Sequence, residues 1–166
     1  TMNEPREVGS KFEWTGGSAE HRAVMNELNV AAVNAIRNTG GNNASRFIMV
    51  PQVGANVEAA LDAMVIPNDD EKVIVSVHHY YPYSFCLDEN GTSSWGTSTE
   101  KNTLRSEIKK ISDHFVKNGQ AVIMGEWGAH DKDNLEDRIA YYDVFASACQ
   151  EGGITPISWI YSFNRN

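Results

Sequence analysis

Apolar positions along the chain fall into two alternating rhythms. Val24, Leu28, Ala32 and Ile36 recur at helical spacing, behind Ser18 as an N-cap and ahead of Gly40-Gly41 as a stop. Residues 46–50 form a short apolar run ended by Pro51, and residues 57–64 read as a short helix before Pro67. Residues 72–77 are almost wholly β-branched between their ends and read as a strand. A polar stretch over 81–98, rich in Tyr, Ser, Gly and Asn and holding Trp95, predicts a long loop. Thr99 then caps a helix whose stripe is Leu104, Ile108, Ile111 and Phe115, ending at Gly119. A strand over 121–124 follows. Leu135, Ile139, Tyr142, Phe145 and Cys149 mark a further helix closed by Gly152-Gly153, and residues 155–160 predict a final strand.

Strands apolar on both faces, alternating with helices that carry one apolar stripe, are the pattern of a parallel sheet covered by helices. The class is α/β. With no linker, repeat or low-complexity tract, residues 1–166 read as a single domain.

Composition narrows the function. With 166 residues, 41% hydrophobic and 22% charged, the chain has the make-up of a folded protein with a core. The formal net charge is −8 and the basic residues are dispersed, which argues against nucleic acid and anionic membranes as partners and leaves neutral polymers open. No apolar stretch has the length of a transmembrane helix. Cys86 and Cys149 read as two thiols as readily as a disulfide. Asn43-Ala44-Ser45 and Asn90-Gly91-Thr92 fit the N-glycosylation pattern and lend weak support to secretion.

The polar residues that bear chemistry share one location. Glu4, in Asn3-Glu4-Pro5, and His78, Tyr80, Glu126 and Trp159 all fall at or just beyond the C-terminal end of a strand, where barrel active sites are built. A glycosidase of the retaining kind needs two carboxyl groups about 5–5.5 Å apart, one to protonate the leaving oxygen and one to attack the anomeric carbon. Glu4 and Glu126 are the candidate pair. In Ser76-Val77-His78-His79-Tyr80-Tyr81, alternation puts His78 and Tyr80 on one face and His79 and Tyr81 on the other. Trp159, with Trp95 and Trp14 from loops, offers aromatic faces on which pyranose rings stack. Rival chemistry fails: His130-Asp131-Lys132-Asp133 lacks the glycine and the twelfth-position glutamate of a calcium loop, and no Cys or His pair has zinc spacing.

Taken in order, Asn3-Glu4-Pro5, His78-x-Tyr80, Gly125-Glu126-Trp127-Gly128 and Trp159 resemble glycoside hydrolase family 5, the (β/α)₈ retaining enzymes that include many endo-β-1,4-glucanases. Thr39-Gly40-Gly41-Asn42-Asn43, Pro82-Tyr83-Ser84-Phe85 and Ser94-Trp95-Gly96 resemble its subfamily of broad endoglucanases and xyloglucanases. The resemblance implies a partial (β/α)₈ barrel running from the end of strand 4 through strand 8, without the earlier strands and the arginine and histidine they carry, and without the closing helix. It implies Glu4 as acid/base, Glu126 as nucleophile oriented by Tyr80, and His78 beside them. It also implies Asn3 on the sugar 2-hydroxyl and Trp159 under the sugar at the cleavage point. The expected substrate is a β-glucan, with xyloglucan and mannan as alternatives. No metal or organic cofactor is expected, and secretion is. A second reading is a non-catalytic half-barrel that binds glycan or a complementary half, since an open sheet edge favours association.

Overall fold

The alternation read from the sequence is present in the computed structural model, which describes residues 1–159. The elements are α1 (Ala19–Asn38), β1 (Ile48–Asn56), α2 (Val57–Ala63), β2 (Val73–His78), α3 (Tyr83–Cys86), α4 (Ser98–His114), β3 (Val122–Trp127), α5 (Leu135–Glu151) and β4 (Thr155–Ser158), with short 3-10 turns between some of them. The strands form one sheet in the order β1-β2-β3-β4. β1 and β2 pair in parallel from Ile48 opposite Val73 to Pro51 opposite Ser76, and a bulge follows before Asn56 meets His78. The expected last residue of the final strand, Ile160, lies outside the described residues.

Two compact units make up the chain. One comprises Thr1–His78 and Gly119–Ile123, the other His79–Asn118 and the chain from Met124 onward. In the first, Val33 of α1 packs on Ile48, Val50 and Val73. In the second, Leu104, Ile108 and Ile111 of α4 and Tyr141 and Phe145 of α5 are fully or almost fully buried. Phe85 of α3, tilted against Tyr141, and Met124 of β3 are buried as well. Burial of each such side chain contributes on the order of 1.5–3 kcal/mol.

Four sequence expectations are corrected. α1 buries Met25, Asn29 and Val33, one position round from the expected stripe, leaving Val24 and Leu28 exposed. Asn29 belongs to the buried face because its Nδ2 donates to the Pro51 carbonyl at 2.8 Å, which satisfies an amide that would otherwise be costly to bury. In α5 the buried face is Tyr141, Val144, Phe145, Ala148 and Cys149, while Leu135 and Ile139 are exposed. β1 continues through Pro51, since the residue needs no N–H at that point of the ladder, and the N-cap of α4 is Thr97, whose side chain and Glu100 form a reciprocal capping box.

Candidate active site

In the first unit Glu4 lies at the start of a loop, and its two carboxylate oxygens have different neighbours. His78 Nδ1 donates to Oε1 at 2.6 Å, and Arg6 Nη1 lies 3.5 Å from Oε2. The hydrogen bond from His78 is the main reason the Glu4 carboxyl sits below the usual carboxylate range; partial burial opposes it, and the charges of His78 and Arg6 add to it. The segment carrying Glu4 is tied to β1 where the Gly54 N–H donates to the Pro5 carbonyl at 2.8 Å.

The loop after Glu4 is closed largely by backbone hydrogen bonds between near neighbours, and Arg22 Nε of α1 donates to its Gly16 carbonyl at 2.8 Å. Ser10 N–H donates to Glu7 O, Glu13 N–H to Ser10 O, and both Thr15 and Gly17 N–H to Phe12 O. Gly16 and Gly17 end it with positive φ angles, and a Cβ on Gly17 would stand 2.8 Å from Val53. Only glycine allows the chain to turn that close to β1. Trp14 stands out from this loop, 72% exposed, with the Arg6 guanidinium 4.2 Å from its ring centroid. Asn3 is exposed.

In the second unit Tyr80 O–H donates to Glu126 Oε2 at 2.9 Å, and the His79 N–H donates to the Glu126 carbonyl at 3.0 Å. The ladder bond fixes the backbone of Glu126 and the phenol fixes its side chain. Trp127, next in sequence, points the other way and stacks on Phe145 with centroids 4.1 Å apart. Gly128 is required by close approach, since a Cβ there would lie 2.5 Å from the Trp159 carbonyl. That packing explains the Gly-Glu-Trp-Gly string: one side chain presented, one buried, and a glycine where β4 comes alongside. Trp159 donates its N–H to the Trp127 carbonyl at 2.8 Å and leaves its ring 55% exposed.

On the face opposite Tyr80, His79 stacks on Tyr81 at 5.8 Å and is buried, which lowers its pKa to about 4 and keeps it neutral.

Trp95 departs from expectation. Instead of presenting a face from an open loop it is buried, edge-on to Tyr141 at 5.2 Å and tilted against Phe85 at 6.1 Å. The cause is the segment after Glu126. His130 N–H donates to the Cys86 carbonyl, Asn134 Nδ2 to the Ser93 carbonyl, and the Trp95 N–H to Asp137 Oδ1. Lys132 Nζ reaches three carbonyls, those of Ser84, Phe85 and Thr92, at 2.8–3.1 Å. The polar run 130–133 is therefore a staple for the loop after β2. Both cysteines are buried thiols, each raised to about 12 by burial.

Two residues that matter carry little signal in the sequence. Arg6 follows Pro5 and carries no motif; its one signal is its place two residues beyond Glu4 in a chain held extended by proline. Lys132 was legible only as a polar loop residue.

A family model described as Cellulase (glycosyl hydrolase family 5) matches residues 1–165. The chain belongs to that family. Cellulase/esterase CelE of Acetivibrio thermocellus is 52% identical over 160 residues, covering 96% of this chain and 20% of the relative. Endoglucanase B of Clostridium cellulovorans is 45% identical over 163 residues, 96% of this chain and 37% of the relative. A solved GH5-4 broad specificity endoglucanase from Clostridium acetobutylicum superposes with a TM-score of 0.92 at 49% identity, covering 95% of this chain and 48% of that one. A structure of ZgEngAGH5_4 in complex with a cellotriose gives 0.90 at 49% identity, with 95% and 48% covered. The family 5 chain thus spans about half the length of its solved relatives and two fifths or less of these curated ones, and its α/β fold is that of a partial (β/α)₈ barrel.

Proposed function

We propose that this chain carries the two catalytic carboxylates of a retaining endo-β-1,4-glycosidase acting on β-glucan. The observation that supports the reading best is the separate grip on each glutamate: an imidazole on Glu4 and a phenol on Glu126, from residues two apart in sequence. Glu126 attacks the anomeric carbon as the glycosidic bond breaks, while Glu4 gives its proton to the departing oxygen. Glu4 then takes a proton from water, whose oxygen bonds to the anomeric carbon and releases Glu126. Tyr80 orients the nucleophile; the His78 bond favours the ionised form of Glu4 that the second step uses. Asn3 is assigned to the 2-hydroxyl, and Trp159 and Trp14 to stacking with sugar rings. The protein is expected to be secreted.

Glu126→Gln in the complete enzyme is expected to abolish release of reducing sugar from soluble β-glucan, and substantial residual activity would overturn the assignment. Glu4→Ala is expected to keep cleaving an aryl cellobioside with a good leaving group and, with azide present, to give the β-configured glycosyl azide, because the small anion replaces water once the base is gone. An α-configured product would rule out the retaining course.

A further inference from the structure

One cation beside Glu4 has no part in the reaction as described. Arg6 is held on three sides: Nη1 lies 3.5 Å from Glu4 Oε2, Nε 3.8 Å from Glu13 Oε1, and the guanidinium lies over the Trp14 ring at 4.2 Å. Glu13 is itself fixed, since the Gly9 N–H donates to its Oε2 at 2.9 Å. A guanidinium offers donors and no acceptor and does not act as an acid or base in proteins, so it steers a carboxylate without competing in proton transfer. His78 already occupies Oε1 at 2.6 Å. The two oxygens of Glu4 are therefore unequal: one takes a short hydrogen bond from His78, and the other lies at ion-pair distance from Arg6 Nη1.

We propose that Arg6 is a positioning residue that fixes Glu4 Oε2 as the oxygen exchanging the catalytic proton. In the first step the O–H bond at Oε2 breaks and the proton passes to the glycosidic oxygen as its bond to the anomeric carbon breaks and a Glu126 carboxylate oxygen bonds to that carbon. In the second step Oε2 receives a proton from water as the water oxygen bonds to the anomeric carbon and Glu126 departs. The inference rests on the assignment of Glu4 as the acid/base, and it adds that the loop after Glu4 exists in part to hold Arg6.

A structural role and a role in proton delivery separate by leaving group, because a dinitrophenolate needs no proton to depart and the alkoxide of a glucan does. In the complete enzyme Arg6→Met, which keeps the aliphatic stem, is expected to lower kcat/KM on soluble β-glucan about tenfold or more and on dinitrophenyl β-cellobioside by about twofold at most. Arg6→Lys should lose less on glucan than Arg6→Met, as it keeps the charge without the planar fork. Should Arg6→Met fail to fold, Glu13→Gln, which loosens Arg6 without touching Glu4, is expected to show the same selectivity with about a threefold loss on glucan. Equal losses on both substrates, or no loss on glucan, would overturn the proposal. Glu4→Ala measured alongside separates the two assignments: without its own leaving-group selectivity the acid/base role of Glu4 fails, and with it only the Arg6 proposal is at stake.

Discussion

Residues 6–17 and residues 87–97 are both polar, glycine-containing loops that carry tryptophan, yet Trp14 is 72% exposed and Trp95 is 5% exposed. The first loop is closed largely by bonds between near neighbours, its own residues and the start of α1, and Trp14 stands outside that closure against the Arg6 guanidinium. The second is fastened from a distant stretch of chain, by Lys132, Asn134 and Asp137, and that fastening brings Trp95 down between Phe85 and Tyr141. Composition is the same in kind; the source of the anchoring bonds decides whether an aromatic becomes core or surface. A tryptophan in a self-closed loop is free to meet a ligand, whereas one in a stapled loop is part of what keeps the loop shut.

The comparison breaks most sharply at Trp95. Trp95→Ala removes a large ring from a closed aromatic cluster and is expected to cost about 3–5 kcal/mol of stability, read as a lower denaturant midpoint. If the loss were under about 1 kcal/mol, the ring would be resting on the core rather than completing it. Lys132→Met tests the staple itself. One ammonium serves three carbonyls at a partly exposed position, so the expected loss is about 2 kcal/mol, accompanied by faster proteolytic nicking within residues 87–94. Unchanged nicking would mean the loop holds without the lysine, and the contrast with residues 6–17 would vanish.

How much of this was legible beforehand varied by element for physical reasons. The stripe of α4 is legible in the sequence because Leu104, Ile108, Ile111 and Phe115 are apolar and all buried, so pattern and burial coincide. The stripe of α1 is not legible in this way because its buried face includes Asn29, whose amide is satisfied by the Pro51 carbonyl, a partner that is present only once the strand lies beside the helix. Pro51 misled in the same way, since a proline that stands where no N–H is needed does not end a strand. At the site, alternation along residues 78–81 was sufficient to separate His78 and Tyr80 from His79 and Tyr81, and the bonds from His78 to Glu4 and from Tyr80 to Glu126 are present. Arg6 and Lys132 were invisible because their partners are a side chain reached through a turn and carbonyls some forty residues away, neither of which leaves a period in the sequence.

The smallest expected effect on stability, and the most telling for the exposed loop, is at Trp14. Its ring is mostly in water, and its described contact of note is the Arg6 guanidinium, a cation–π pair of the kind worth about 0.5–1 kcal/mol at exposed sites. Trp14→Ala should therefore shift the unfolding midpoint by no more than about a third of the Trp95→Ala shift. If the ring serves as a sugar platform, the same change should raise KM on soluble β-glucan about fivefold, because stacking with a pyranose contributes on the order of 1 kcal/mol. Trp14→Phe should recover part of that binding, since a smaller ring keeps a flat apolar face. A melting shift as large as that of Trp95→Ala, with KM unmoved, would show that the exposed ring is a structural prop after all, and that self-closure of a loop does not by itself free its aromatic for a ligand.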